Sequence, residues 1–245
     1  MSEGLGVARP PQQERSIATM NRILDAAAAL LAEGGWDAFR VLDVSSRAGI
    51  SVGVIYQRFG DKDGLFAAVH DAHLARFAAR AREAFGPDAW PSETDPAAFV
   101  GVAITRLGTI FEDLGVLNGV LLLNSGKVSG LGERGAEVMS TVRELFTAMI
   151  RSRSDRMPRA DPEVAVAACF RMAFSTFMDF ATFIRYPTQA HEMSWPRLIT
   201  EVARACTLYL FAPYPGSAPY PGPAPDLGSA SAPGSASDLG SASPS

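Results

Sequence analysis

Residues 41–62 read VLDVSSRAGISVGVIYQRFGDK, and this stretch decides the fold of the N-terminal part of the chain. Val41, Val44 and Ala48 recur at three- and four-residue spacing, so they share the inner face of a first short helix. Gly49 permits a sharp turn, because glycine readily adopts the left-handed conformation that ends helices. The pattern predicts a helix followed by a tight turn.

A second short helix follows the turn, roughly from Val52 to Phe59. Ile50 fills the corner, and Ser51 can cap the start of the helix through its hydroxyl. Ile55 and Phe59 are four residues apart, so they hold the helix inward by one face. Residues 41–62 therefore predict a helix-turn-helix.

The opposite face of the second helix must then point away from the core, and it carries Val52, Gly53, Tyr56 and Gln57. A helix exposed in this way can enter the major groove of B-DNA, which is roughly 12 Å wide. Gln57 can bond adenine bidentately, Tyr56 can reach a phosphate or a base edge, and Gly53 allows close approach of the backbone. We interpret this helix as a recognition helix. The alternative is a helical corner of an ordinary domain.

Basic residues flank the predicted recognition helix. Arg40, Arg47, Arg58 and Lys62 can contact phosphates, opposed only by Asp43 and Asp61. The whole chain, in contrast, has a net charge of -4 and a pI near 5.4. This balance argues against a protein that coats nucleic acid by bulk positive charge, so DNA binding must depend on a locally basic face.

The rest of the chain predicts an all-α fold, since apolar residues recur at helical spacing and alternating β-branched runs are missing. We expect a flexible arm over 1–14, a DNA-binding domain with its connecting helix over 15–85, a ligand-binding and dimerisation domain over 86–212, and a disordered low-complexity tail over 213–245. No signal peptide is recognisable, which predicts a cytoplasmic protein. The apolar stretch 164–184 contains Arg171 and Asp179, so we expect a buried helix and no membrane association.

The order AGIS, then GVIY, two polar residues, Phe59 and finally Lys62 closely resembles the signature of the TetR family of transcriptional regulators. The preceding helix, ILDAAAALLAEGGWDAF over residues 23–39, resembles the family's opening helix. The resemblance covers about the first third of the chain. It implies three DNA-binding helices, a homodimer on double-stranded operator DNA, and a divergent domain that binds a small-molecule effector and releases a repressor from DNA.

Position by position, the resemblance places the groove-facing residues on the outer face already named and the family's phosphate-binding lysine on Lys62. Arg40, Leu42 and Val54 depart from the family pattern, which usually has polar residues there. We expect Leu42 and Val52 to touch thymine methyl groups and Arg40 to contact a phosphate instead. The predicted DNA-binding set is Arg40, Leu42, Arg47, Ser51, Val52, Gly53, Val54, Tyr56, Gln57, Arg58 and Lys62.

Polar residues within the apolar C-terminal helices are candidates to orient the effector. Asp179 is the most suggestive, because an unpaired buried carboxylate would favour a cationic or donor-rich ligand, although Arg171 or Arg185 can equally pair with it. For each polar candidate, a hydrogen-bonded core residue is an equal alternative. The predicted ligand-binding set is Phe111, Leu114, Leu121, Asn124, Met172, Ser175, Thr176 and Asp179.

Other chemistries have little support in the sequence. His70 and His73 are three residues apart, but no thiol or carboxylate cluster completes a metal site, so we expect no metal and no cofactor. Cys169 and Cys206 lie in apolar helical patterns and are expected to be reduced and buried. No histidine has a recognisable catalytic setting, so we expect no enzyme. The remaining alternatives are a helical ligand-binding or scaffold protein with weakened DNA binding and, with less support, a cofactor-free helical enzyme.

Overall fold

A computed structural model describes residues 12–92, 95–159, 161–183 and 193–212, and within these ranges the regular structure is entirely helical. The all-α prediction is confirmed. The α-helices are α1 (Gln12–Ala38), α2 (Val41–Ala48), α3 (Val52–Phe59), α4 (Lys62–Phe85), α5 (Pro96–Asn124), α6 (Leu131–Arg151), α7 (Pro162–Phe183) and α8 (Trp195–Phe211). Short 3₁₀ helices occupy Pro87–Ala89, Ser125–Lys127 and Ser154–Arg156.

Glycine and aspartate set several of the helix boundaries, as the sequence predicts. Gly35 interrupts α1 with a φ of 68°, and Gly49 ends α2 with a φ of 63°. The carboxylate of Asp61 accepts a hydrogen bond from the backbone N–H of Gly64, and Asp161 accepts one from Val164 at the start of α7. Helix α1 begins at Gln12, three residues earlier than the predicted start of the DNA-binding domain.

One hydrophobic core holds α1 to α4 together and forms the N-terminal head. Its buried members include Ile23, Leu31, Phe39, Ile55 and Phe66. This core also contains three residues from the following helices, Val120 and Leu121 of α5 and Leu131 of α6. The head is therefore packed directly against the end of α5 and the start of α6.

A second core fills the space between the C-terminal part of α4 and helices α5 to α8. Aromatic rings dominate it: Phe111 lies edge-on to Phe77 and Phe174, with ring centroids 5.2 and 5.4 Å apart. The indole N–H of Trp195 donates to the carbonyl oxygen of Gly108 at 3.3 Å, which links α8 to α5. Burial of so many large rings makes this core the main source of stability in the C-terminal part.

Helix α5 changes direction at Gly115, where φ is 53°. The sequence predicts two helices here, one up to Leu114 and a short one over 116–123, and the kink separates them. Beyond it, a Cβ on Gly119 would lie 2.5 Å from the Cα of Thr182, so glycine lets α5 and α7 approach closely. The end of α5 is thereby held between α7 and the head.

Helix α7 is the one described helix that is long and apolar enough to cross a membrane by length and composition, and 44% of its most apolar window is buried. It packs against α5, α6 and α8. The predicted arm, except for residues 12–14, and the predicted tail over 213–245 lie outside the described residues, as do Arg185 and His191. The three boundaries between the four predicted segments stay predictions.

Candidate DNA-reading face and ligand cavity

Helix α3 presents one side to the head core and the other to solvent. Ile55 is 1% exposed, whereas Tyr56 is 48% exposed, and both Gly53 and Gln57 are exposed. A Cβ built on Gly53 would meet nothing within 4 Å, so the backbone there is open to close approach. We call the outer side, Gly53, Tyr56 and Gln57, the reading face.

Hydrogen bonds fix the turn that orients the reading face. The hydroxyl of Ser45 donates to the carbonyl oxygen of Ile50 at 2.6 Å, and a guanidinium nitrogen of Arg22 donates to the carbonyl oxygen of Ala48 at 2.5 Å. Ser51 occupies the position that precedes α3, but its side chain makes no capping hydrogen bond. The exposed hydroxyl of Ser51 is therefore available for another partner.

Two residues with predicted base contacts differ in exposure. Leu42 is 68% exposed on α2, the largest exposed fraction among the large hydrophobic residues described. Val52 is only half-exposed and packs against the head core, as does Phe59. The expectation that Val52 points fully away from the core is wrong, because it lies beside Ile50 at the packed corner of the turn. Arg40 is exposed, and Val54 is half-buried.

The predicted phosphate contacts are largely engaged within the protein. Arg47 makes two hydrogen bonds to the carboxylate of Glu33, at 2.7 and 2.6 Å, and these bonds lower the pKa of Glu33. Arg58 donates to the hydroxyl of Ser16 at 3.1 Å. Both arginines must share or exchange these partners to reach a phosphate, an exchange that costs little at an exposed surface.

Lys62 is held more firmly than the sequence suggests. Its ammonium group donates to the carbonyl oxygen of Trp36 at 3.1 Å and lies 4.2 Å from the centroid of the Trp36 ring. The lysine thereby closes the C-terminal end of α1, where carbonyl oxygens lack helical partners. Lys62 thereby joins the start of α4 to α1. If Lys62 also binds a phosphate, it does so in addition to this structural contact.

The predicted ligand-binding residues are not brought together. Phe111 is fully buried in the second core, and Leu114 packs against that core. The amide of Asn124 donates to the carbonyl oxygen of Val120 within its own helix and lines a cleft beside Trp36. Phe111 therefore lies within the packed core and Asn124 beside a separate cleft, so the structure does not bring these two residues into one site.

Four other members of the predicted set lie on the outer side of α7. Met172, Ser175 and Thr176 line a groove of about 560 Å³ between α7 and α8, and Asp179 is exposed. The prediction of a buried carboxylate is wrong because α7 turns Ala173, Phe177 and Phe180 inward, which places residue 179 on the opposite side. An exposed Asp179 gives no preference for a cationic ligand.

A cavity of about 370 Å³ lies instead between α4, α5, α6 and α7. Its walls are mainly apolar, formed by Leu74, Leu121, Leu131, Met139, Phe174 and Met178. Leu121 alone among the eight predicted ligand-binding residues lines this cavity. A volume of this size lies in the range of about 300–1,000 Å³ that is usual for small-molecule sites.

Three buried polar side chains stand in the wall of the cavity: His70 and His73 of α4 and Asn118 of α5. The Nε2 of His73 donates to the Oδ1 of Asn118 at 2.9 Å. The Nδ1 of His70 and the Nδ2 of Asn118 have no hydrogen-bond partner. From the sequence, the two histidines are considered only as a possible metal pair, which is rejected, and Asn118 is missed. The available signal was their spacing, which puts both histidines on the inward face of α4.

Among the residues that the structure describes, no three His, Cys, Asp or Glu side chains are grouped to hold a metal ion. Burial lowers the pKa of both His70 and His73, so both rings are neutral near pH 7. Cys169 and Cys206 are free and buried, with the Sγ of Cys206 3.9 Å from the carbonyl oxygen of Cys169. Contact with Cys206 and burial raise the pKa of Cys169.

We expect the protein to lose stability as the pH falls below the ordinary histidine pKa of 6.5. The unfolded chain then takes up protons at His70 and His73, whereas the folded chain resists them because both pKa values are lowered. Stability therefore rises with pH between the folded and unfolded pKa values, by at most about 1.4 kcal/mol per histidine per pH unit. Chemical denaturation at pH 7.5, 6.5, 5.5 and 5.0 measures this slope.

The matched control is the double variant His70→Leu, His73→Leu, which should show a flatter dependence across the same range. His191 is present in both proteins and cancels in the comparison. Equal slopes in the two proteins would contradict the assignment of neutral, buried histidines.

Comparison with known proteins finds a sequence profile that matches the N-terminal head. Residues 23–69 match the sequence profile described as bacterial regulatory proteins, tetR family, a range that runs from α1 through the helix-turn-helix into α4. No curated protein sequence matches the chain significantly.

Solved structures of TetR-family regulators share the fold. A putative TetR-family transcriptional regulator from Mesorhizobium loti is 18% identical, with a TM-score of 0.65 over 80% of this chain and 96% of the other. A TetR transcription regulator from Haloarcula marismortui has a TM-score of 0.60 at 17% identity, over 79% and 97% of the two chains.

FadR from Bacillus subtilis, solved in complex with stearoyl-CoA, has a TM-score of 0.54 at 16% identity, over 78% of this chain and 97% of the other. At these identities the structures establish a common fold. Residues 23–69 of this chain thus match the TetR-family profile, and the chain shares its fold with solved TetR-family transcriptional regulators.

Proposed function

We propose that this chain is a cytoplasmic repressor that binds double-stranded operator DNA as a homodimer through α3 and leaves the DNA when a small molecule occupies the cavity. The observation that carries the proposal is the division of α3 into a buried side at Ile55 and an exposed side at Tyr56. A helix held in this way by a rigid turn has the geometry that major-groove reading needs.

The chemistry of the reading face supports DNA as the partner. Gln57 supplies a bidentate donor and acceptor for adenine, Tyr56 a hydroxyl for a phosphate or base edge, and Leu42 an exposed apolar group suited to a thymine methyl. Arg40 and Ser51, which immediately precede α2 and α3, are exposed as well. The helix-turn-helix therefore offers groups suited to base contacts and groups suited to phosphate contacts.

A second copy of the chain is the proposed partner of the outer faces of α7 and α8. Val164, Met172, Leu208 and Tyr209 are all exposed there, with exposed fractions between 38% and 62%. Exposed apolar side chains along two neighbouring helices favour a contact between like subunits. Such a dimer would place two reading faces on half-sites separated by about one helical turn, roughly 34–36 Å, or a multiple of it.

The position of the cavity supports control by a small molecule. Leu121 and Leu131 line the cavity and also belong to the core of the head, while His70 and His73 lie on α4, which begins immediately after α3. A ligand that favours one arrangement of these helices would shift the population of reading-face spacings. The stearoyl-CoA complex of FadR shows that one protein of similar fold holds a small molecule.

Fluorescence anisotropy with DNA from the region upstream of the protein's own coding sequence tests the proposal. Two to four phosphate contacts per head predict a plot of log K against log salt with a slope of about -4 to -7 for the dimer. A matched duplex of scrambled sequence is the control and should bind at least about a thousandfold more weakly. Equal, weak binding to both duplexes would instead favour a helical ligand-binding or scaffold protein without operator recognition.

A further inference from the structure

We propose that the cavity between α4 and α7 takes an uncharged, largely apolar molecule with a carbonyl or hydroxyl oxygen, which is bonded by the Asn118 amide and the His70 ring. This inference rests on the proposed function, since it names the chemical class of the effector. It makes a separate claim, however, because ligand binding can be measured without DNA.

The unpaired polar atoms are the first argument. His70, His73 and Asn118 are 5%, 5% and 8% exposed, yet the Nδ1 of His70 and the Nδ2 of Asn118 lack partners. A buried polar atom without a hydrogen bond costs about 1–3 kcal/mol, so native proteins usually satisfy such atoms. Both atoms belong to side chains that line the same cavity, and a ligand oxygen there would satisfy them.

The pairing within the cluster sets the direction of these bonds. The Oδ1 of Asn118 accepts from His73, which leaves the amide nitrogen of Asn118 as a donor toward the ligand. Such a donor requires an acceptor on the ligand. The Nδ1 of a neutral histidine either donates or accepts, so His70 is compatible with a carbonyl or with a hydroxyl.

The absence of formal charge among the lining residues is the second argument. In the described part of the chain, the side chains lining the cavity are apolar or neutral. The nearest carboxylate to His70 is that of Asp71, 3.9 Å from Nδ1, and Arg134 occupies it at 2.8 Å. A carboxylate or ammonium group buried here would have no counter-ion, which strongly disfavours charged ligands.

The ligand oxygen would also join two elements that meet at the head. His70 belongs to α4, and Asn118 lies beyond the kink of α5, three residues before Leu121 of the head core. A molecule bonded to both side chains would stabilise one spacing of α4 and α5. The polar end of the cavity is therefore the part best placed to transmit occupancy to the reading face.

Four probes with similar chains separate the head-group chemistries: 2-decanone, its hydrocarbon isostere 2-methyl-1-decene, decanoate and decylamine. Calorimetric titration of the full chain at pH 8 without DNA gives the Kd values. We expect 2-decanone to bind at least about tenfold more tightly than the alkene, because the alkene leaves Asn118 unpaired. Decanoate and decylamine should bind at least about a hundredfold more weakly than the ketone.

Two variants test whether Asn118 and His70 cause the preference for the ketone. In Asn118→Leu, and independently in His70→Leu, the preference for ketone over alkene should fall to within about threefold. The control variant Leu123→Ala removes an exposed apolar side chain outside the cavity and should keep the wild-type preference. The readout is the ratio of the Kd values for the ketone and the alkene. A modest loss of stability in either variant affects both Kd values and leaves their ratio unchanged.

Three results would overturn the inference: a charged probe that binds as tightly as the ketone, an unchanged preference in both polar variants, or no binding of any probe. The last result would mean that water alone satisfies the polar atoms. The calorimetric titrations contain no DNA, so none of these outcomes affects the anisotropy result. A wrong effector chemistry can therefore be distinguished from a failure of DNA binding.

Discussion

Replacing Tyr56 by alanine should weaken binding to promoter DNA by at least about tenfold, because each head of the proposed dimer would lose a contact of roughly 1–3 kcal/mol. Tyr56 is 48% exposed on the reading face, beside a buried Ile55 that holds the helix in place. Tyr56 is not a member of the head core, so we expect its replacement to change stability little. Anisotropy at fixed salt with wild type and Tyr56→Ala measures the effect.

The control variant is Leu123→Ala, which removes an exposed apolar side chain, 51% exposed, from the end of α5. Both variants should unfold at the wild-type temperature, but only Tyr56→Ala should bind DNA more weakly. If Tyr56→Ala bound with unchanged affinity, α3 would not be the recognition helix, and the proposed function would lose its main support.

Replacing Phe111 by alanine should lower the free energy of unfolding by about 3–5 kcal/mol. The ring is fully buried and contacts Phe77, Phe174 and Phe177 from three sides, with centroid distances of 5.2, 5.4 and 6.2 Å. Its loss would leave a cavity among rings that belong to α4 and α7. Chemical denaturation at fixed protein concentration measures the change, since the proposed dimerisation would make apparent stability depend on concentration.

The same substitution distinguishes two roles of Phe111: a core residue, as the structure indicates, and a ligand contact, as the sequence predicts. The structure predicts a large loss of stability, whereas a ligand contact alone predicts weaker effector binding at normal stability. Leu123→Ala again serves as the control and should change stability by no more than about 0.5 kcal/mol. A stability loss below 1 kcal/mol for Phe111→Ala would contradict its place in the core.

The helix-turn-helix could be predicted in detail because its residues are close in sequence. Burial at Val44, Ala48 and Ile55 and a left-handed Gly49 follow from helical periodicity and glycine geometry within 15 residues. The exposure of Tyr56 follows from the same periodicity. Val52 is the exception, since contact with the neighbouring turn, and not its place on the helix, decides its burial.

The roles of the basic residues could not be predicted from composition alone. The sequence contains Arg47 and Lys62 near the reading face but does not reveal that Glu33 and Trp36 of α1 lie against them. Ion pairs and cation–π contacts between helices depend on distances that only packing sets. Fewer cations near the reading face are therefore free to contact phosphates than the sequence alone predicts.

The candidate effector site shows the largest difference between prediction and structure. Helical spacing on α7 alone does not reveal which face turns inward. The sequence suggests a buried carboxylate at Asp179, whereas the structure places this residue on the exposed face. The polar wall combines His70 and His73 with Asn118, which is 45 residues from His73. A cavity is the space that several helices leave unfilled, so no single helix contains the information that locates it.

By itself the sequence determined the all-helical class, the helix-turn-helix and the resemblance of residues 23–69 to the TetR-family profile, because these depend on periodicity, glycine positions and a motif within a short stretch. Only the tertiary structure decided which polar groups are buried together, which cations are already paired and where a ligand can enter. The physical reason is that local conformation follows from neighbours in the chain, whereas burial and pairing follow from contacts between distant segments.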